Sequence, residues 1–172
     1  MRLLFEIDAK NYQKDWTSFV RNSARSIIIR ERKVAMVHSS KYDYYKFPGG
    51  GIEKGESPVD ALIRETAEEA GLVILPESVR EYGYVHRIQK SDHRDAEIFV
   101  QDNLYYLCEA KSRTVRQFLD DYEEEECFVL EWVDPRVAID GNRNKNHGGK
   151  DPVMLEREAR VLEMLIQESF FD

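Results

Sequence analysis

Three consecutive glycines, Gly49 to Gly51, separate an aromatic run that ends in Tyr45-Lys46-Phe47-Pro48 from a segment with helix signals at both ends. Nothing else in the chain restricts the backbone as strongly. Glycine reaches conformations that a Cβ forbids, so the stretch reads as strand, tight loop, helix. Ser57 suits the N-cap, Pro58 the first turn, and Asp60 the positive end of the helix dipole. Gly71 is placed to end the helix in a left-handed cap. These signals predict a helix over about Pro58 to Ala70.

That helix has two faces. Val59, Leu62, Ile63, Thr66 and Ala70 recur at helical spacing and suit a core. Glu65, Glu68 and Glu69 fall at i, i+3 and i+4, which gathers their carboxylates on one side. Clustered anions repel and weaken a bare helix. A hard cation with oxygen ligands reverses that cost, and Mg²⁺ or Mn²⁺ is the natural candidate. Arg64 can reach Glu68 one turn away and steady it. A charge run is ordinarily a solvated face, but the neighbouring glycine loop, with its bared backbone groups, favours a site.

The stretch resembles the Nudix box, G-x5-E-x7-R-E-U-x-E-E-x-G-U with U a bulky apolar residue. Gly50, Glu56, Arg64, Glu65, Glu68, Glu69, Gly71 and Leu72 fall on its positions, and Thr66 replaces the first U. Threonine still packs on a core face. The flanking pattern extends the resemblance from about Ser23 to Ala138. It implies an α/β fold, a Nudix-type α/β/α sandwich with a mixed β-sheet. It also implies hydrolysis of a phosphoanhydride bond in a nucleoside diphosphate linked to another moiety, by water attack at phosphorus. By position, Glu65, Glu68 and Glu69 resemble the metal-binding glutamates, with the Gly49 carbonyl as a backbone ligand. Arg64 resembles the arginine that orients a metal glutamate, and Glu56 is either a further ligand or a loop clamp. A later acid often serves as ligand or base in this family. The run Glu123 to Glu126 stands in that region, with Glu125 favoured and Glu124 its neighbour to test. Catalytic roles thus fall on Glu68, Arg64 and Glu125.

For substrate contacts, Arg25 is placed to meet a phosphate, Lys46 lies beside the glycine loop, and Tyr45 stands for a stacking contact among Tyr42, Tyr44 and Tyr45. His86, Arg87, His93 and Arg94 are weaker candidates, since a lone histidine is more often structural. The substrate is left open among nucleotide sugars, ADP-ribose, dinucleoside polyphosphates and oxidised nucleoside triphosphates. The alternative function is a non-catalytic nucleotide-binding Nudix domain, which often loses box glutamates that this chain keeps. Isomerisation of an isoprenyl diphosphate also occurs on this fold, but Cys108 and Cys127 do not fit its catalytic cysteine.

A net charge of -8 argues against a nucleic-acid polymer or an anionic membrane as partner and favours a small molecule. Two cysteines without CxxC spacing give neither a zinc site nor a disulfide framework, so a reducing, cytoplasmic compartment is expected, with Cys108 a buried thiol. No leader is read at the N-terminus, and no run approaches the ~18 apolar residues of a membrane span.

Along the chain, Leu3 to Ile7 reads as an edge strand and Asn11 to Asn22 as loop or short helix. Ser26 to Ile29 and Val34 to His38 read as a hairpin, and Tyr42 to Phe47 as a third strand. Strands follow at Val73 to Leu75, Val79 to Ile88, Ile98 to Ala110 and Phe128 to Val133, with a short helix from Asp134 and a polar loop from Gly141 to Lys150. A final helix from Pro152 to about Phe170 carries the stripe Leu155, Ala159, Leu162, Leu165 and Ile166, which packs on the domain or forms a homodimer seam. The whole, residues 1–172, reads as one domain with the N-terminal strand and C-terminal helix as extensions.

Overall fold

The computed structural model describes residues 1–172. The elements in order are β1 (Leu3–Asp8), β2 (Thr17–Val20), β3 (Ser23–Ile27), β4 (Ile29–Arg30), β5 (Lys33–Ser39), β6 (Tyr44–Lys46), β7 (Gly49–Gly51) and α1 (Pro58–Ala70). There follow β8 (Leu72–Ile74), β9 (Arg80–Lys90), β10 (Glu97–Leu107), β11 (Ala110–Thr114), α2 (Asp121–Glu125), β12 (Phe128–Val133), α3 (Pro135–Asn144) and α4 (Pro152–Gln167).

The main sheet has the order β1-β9-β10-β3-β7, and β2 also pairs with β10. It is mixed: β1 runs parallel to β9 and β3 parallel to β10, while β9 and β10, and β3 and β7, are antiparallel. A second, antiparallel sheet has the order β12-β5-β4, with β6 also on β5. The expected α/β class with a mixed sheet is what the chain adopts.

Strand β5 shows why the fold has helices on both sides. Its run Val34-Ala35-Met36-Val37 is apolar without a break, as expected of a strand buried on both faces. Ala35 and Val37 join Ala61 and Leu62 of α1 in one core, while Val34 and Met36 join Val161, Leu162 and Leu165 of α4 in another. Neighbours Tyr44 and Tyr45, and Tyr105 and Tyr106, divide the same way. The α4 stripe is therefore spent inside its own chain, since Leu155, Ala159, Leu162 and Leu165 are all buried. No helix is long and apolar enough to cross a membrane.

Four local expectations need correction. The glycine stretch is itself a strand, β7, paired with β3. The expected hairpin survives only at its tip: β4 pairs with β5 around Glu31 and Arg32, whose φ values are 49° and 64°, while β3 bends away into the main sheet. Positive φ at both turn residues is ordinarily a glycine or asparagine signature, yet Glu-Arg adopts it here, at the turn of the expected hairpin. Within Asn11 to Asn22 lies β2, whose residues are all exposed and so carry no alternating pattern. Finally, α3 runs on to Asn144, well into the expected polar loop.

Candidate active site

Helix α1 is closed at both ends as its sequence requires. The Ser57 hydroxyl accepts from the Asp60 N–H at 3.1 Å, and Gly71 takes φ 65° while its N–H donates to Ala67 at 3.0 Å. The segment after β11 completes the C-terminal end. Val115 N–H donates to the Gly71 carbonyl at 2.8 Å, Phe118 N–H donates to the Glu68 carbonyl at 3.0 Å, and the Gln117 amide donates to the Glu69 carbonyl.

The glycines of β7 let the acidic face of α1 lie against this strand. Gly49 has φ 135°, and a Cβ there would sit 2.1 Å from the Ala24 carbonyl oxygen. A Cβ on Gly50 would sit 2.1 Å from Glu65 Oε2, so the Glu65 carboxylate rests where any side chain would be.

Each glutamate of α1 is held by a cation. Glu69 is buried; it receives Lys46 Nζ at 2.5 Å and the Gly49 N–H at 3.0 Å. Arg64 grips Glu56 with two donors at 2.8 and 2.9 Å, and donates to Glu65 at 2.6 Å, to Glu68 at 3.1 Å and to the Gly51 carbonyl at 3.2 Å. That guanidinium, with the Glu53 N–H, pushes the Glu56 carboxyl down to about 2. Glu56 is thus tied to Arg64 and to its own loop. Glu65 is pushed the other way, because burial outweighs the help from Arg64.

Beside this face opens a cavity of about 670 Å³, lined by Gly51, Arg64, Glu65, Glu68, Arg116, Phe118, Glu123 and Glu124. The first part of the acidic run forms the one-turn helix α2. Residues two apart on a helix point about 200° away from each other. So Glu123 turns inward and Glu125 outward. Glu123 is buried, accepts from the Asp120 N–H at 2.9 Å, and has its carboxyl pushed up by burial and by the nearby Glu69. Glu125 is 70 % exposed and pairs with Lys41 at 2.6 Å, which holds its carboxyl low. The acids of the run that line this cavity are Glu123 and Glu124, of which Glu123 is the buried one, and not the expected Glu125. The signal for Glu123 in the sequence was the spacing Asp120 to Glu123, a capping box that turns the run into a helix.

Of the expected substrate contacts, Arg25 and Lys46 lie at the glycine strand, and Tyr45 does not. Arg25 donates to the Phe47 carbonyl at 3.3 Å and to the Gly49 carbonyl. The Gly49 carbonyl, an expected metal ligand, is thus engaged by Arg25. Tyr45 points into the opposite core, stacked on His38 at 4.5 Å, with its hydroxyl 3.3 Å from Glu131. Tyr44, one residue earlier, faces the site side and donates to Glu126 at 2.7 Å. His86 pairs with Asp102 at 2.7 Å, and Arg87 with Asp151 at 2.7 Å. Cys108 is the buried thiol expected, pushed up to about 12 by desolvation, and Cys127 is exposed. No three carboxylate, histidine or cysteine side chains converge closely enough to hold a metal ion in this arrangement, in which Lys46 holds Glu69 while Arg64 Nη1 bridges Glu65 and Glu68.

An α/β protein with a glycine strand laid under an acidic, doubly capped helix defines a narrow class. The NUDIX domain model matches residues 20–156, and the chain belongs to the Nudix family. The match runs past Ala138 into the first turns of α4. The chain is 30% identical over 108 residues to the mouse (Mus musculus) protein named nucleoside diphosphate-linked moiety X motif 6, covering 62% of this chain and 31% of that one. It is 35% identical over 96 residues to human (Homo sapiens) diphosphoinositol polyphosphate phosphohydrolase 3-alpha, covering 55% of this chain and 49% of that one. The match thus spans about a third to a half of the length of these curated relatives. The MutT NUDIX hydrolase from Burkholderia pseudomallei shares the fold, with a TM-score of 0.50 and 20% identity over 80% of this chain and 97% of that one.

Proposed function

We propose that this chain is a divalent-metal-dependent hydrolase that cuts a phosphoanhydride bond in a nucleoside diphosphate linked to another moiety. The observation that carries this reading is the acid-lined cavity in which Glu65, Glu68 and Glu123 meet the glycine strand. Relatives named as phosphohydrolases and as nucleoside diphosphate-linked proteins agree with it.

The donor set fits Mg²⁺ or Mn²⁺. Its groups are hard oxygens, and burial, with neighbouring glutamates adding to it, pushes the Glu65 and Glu123 carboxyls up. Glu65, Glu68 and Glu69, with the Gly49 carbonyl, are the groups that would hold the ion. The chemistry such an ion supplies when bound is charge neutralisation on the phosphates and a more acidic water. The chain's own residues do the rest. Arg64 orients Glu65 and Glu68. Arg25 and Lys46 bind phosphate oxygens once released from the Gly49 carbonyl and Glu69. Glu123 takes the proton from the attacking water; its place beside Glu69 favours it over Glu125.

We also propose one domain over residues 1–172. Pairing of β1 with β9 and burial of the α4 stripe support including both termini. Two unpaired cysteines favour a reducing, cytoplasmic setting.

The test is a product-resolved panel of nucleoside diphosphate derivatives with Mg²⁺ or Mn²⁺. Release of phosphate-bearing products supports the reading, and no turnover across a broad panel overturns it. Tight nucleotide binding without hydrolysis would make the chain a sensor instead.

A further inference from the structure

The chain carries a net charge of -8, yet one of its cavities is basic. It holds about 400 Å³ and has Lys46 in its wall. Five cationic side chains line it, Arg25, Lys46, Arg87, Lys150 and Arg157, against two acidic ones, Glu126 and Asp151. Arg25 and Lys46 also line the smaller cleft along Gly49 to Gly51, so the basic cavity and the glycine strand share a wall.

Local charge of this sign needs a cause. Gathering cations costs free energy unless anions answer them. The answers inside the chain are incomplete. Arg87 takes Asp151, Lys150 takes Glu126, and Lys46 takes Glu69. Arg157 is turned to Glu158 at 2.7 Å. Arg25 donates only to backbone carbonyls, and its Nε is buried with no acceptor. Lys150 lies over the Tyr42 ring at 4.6 Å, at the rim. Its side chain is 26 % exposed and is paired with the buried carboxylate of Glu126.

We propose that this cavity binds phosphate on the part of the substrate remote from the bond that is cut, so that the preferred substrate bears phosphate beyond its pyrophosphate. The inference rests on the proposed hydrolase reading for the bond that is cut, but not for the binding itself. Arg25 and Lys46 span the two regions, and Arg87 and Lys150 read the remote phosphate. An uncharged remote group, such as a plain sugar, leaves the excess of positive charge in the lining, and Arg25 with no acidic partner, as they are.

The test is calorimetric titration of inorganic tripolyphosphate into the full chain in chelator, with Lys150→Gln and Arg87→Gln beside the wild type. We expect one site, weakened roughly 10- to 100-fold in each variant, the loss of one charge-assisted contact. Lys150→Gln stands if Arg87→Gln fails to fold, because Lys150 is at the rim. Tripolyphosphate should also inhibit turnover of a nucleoside diphosphate sugar, and less so in Lys150→Gln. Absent binding by the wild type, or equal binding by wild type and Lys150→Gln, overturns the proposal. Binding that depends on Lys150, in a chain that turns over no pyrophosphate compound, upholds the anion site and sinks the hydrolase reading.

Discussion

Glu158 lines neither the acidic nor the basic cavity, yet it should control the stability of the whole site. Its side chain is fully buried. It accepts from Arg157 Nε at 2.9 Å and Nη2 at 2.7 Å, from the Tyr105 hydroxyl at 3.1 Å and from the Phe47 N–H at 2.7 Å. Phe47 leads directly into the glycine strand. Glu158→Gln keeps the shape and removes the charge, so Arg157 is left as a buried cation without its anion. Breaking a buried pair in this way costs about 3–5 kcal/mol, against a total of roughly 5–15 kcal/mol for a domain. Urea denaturation should show a midpoint lowered accordingly, with an unchanged slope. The pH dependence gives a second reading. Burial raises the Glu158 carboxyl, but Arg157, Arg25 and the Phe47 N–H outweigh it and hold it below its ordinary value. A carboxyl lowered on folding stabilises above its unfolded pKa of about 4.3 and loses that contribution as pH falls through the folded value. The gap between wild type and Glu158→Gln should therefore be full near neutrality and narrow below about pH 4.3. Adding Arg157→Met to Glu158→Gln should recover part of the loss, because the stranded charge is gone. A single-variant cost under about 1 kcal/mol, or a double variant that is simply additive, would refute the argument.

Other outcomes follow from the site itself. Glu123→Gln should lower kcat roughly 10²- to 10⁴-fold, as loss of a general base does, while Glu125→Gln should stay within about twofold, judged by steady-state assay; the reverse ranking would return the base to Glu125. Glu69→Gln should lower turnover by roughly 10²-fold or more and also reduce thermal stability, because Lys46 loses its buried partner. Turnover near normal in that variant would remove Glu69 from the metal site. Ser57→Ala should cost about 1 kcal/mol by thermal denaturation without changing KM, since the hydroxyl only caps α1.

Much of the helix and its surroundings could be read in the residues. Ser57, Pro58 and Gly71 are local signals, and they set the ends of α1 where the chain places them. The α/β class followed from the strands read on either side of the capped helix and from the resemblance that the box carries. What could not be read depends on contacts far away in sequence. That Gly49 to Gly51 form a strand is decided by β3, some twenty-five residues earlier, through the pairing of Arg25 with Gly49. Which tyrosine of Tyr44 and Tyr45 faces the site depends on the register with β5, where His38 stands opposite Tyr45. The choice between Glu123 and Glu125 needed the single turn of α2, too short for periodicity to reveal. The basic cavity draws on residues from Arg25 to Arg157, and no window of sequence contains it.

The segment from Val115 to Phe118 closes the carbonyl end of α1 and, through Arg116 to Phe118, also forms part of the mouth of the acidic cavity. Such a mouth is a poor place for free variation. A loop graft meant to admit a bulkier molecule would also unplug the helix that carries Glu68 and Glu69, and the acids would drift as the opening widened. Selectivity engineered into this protein is better sought at the lone side chain of Phe118, which is 69 % exposed, than in the backbone beneath it.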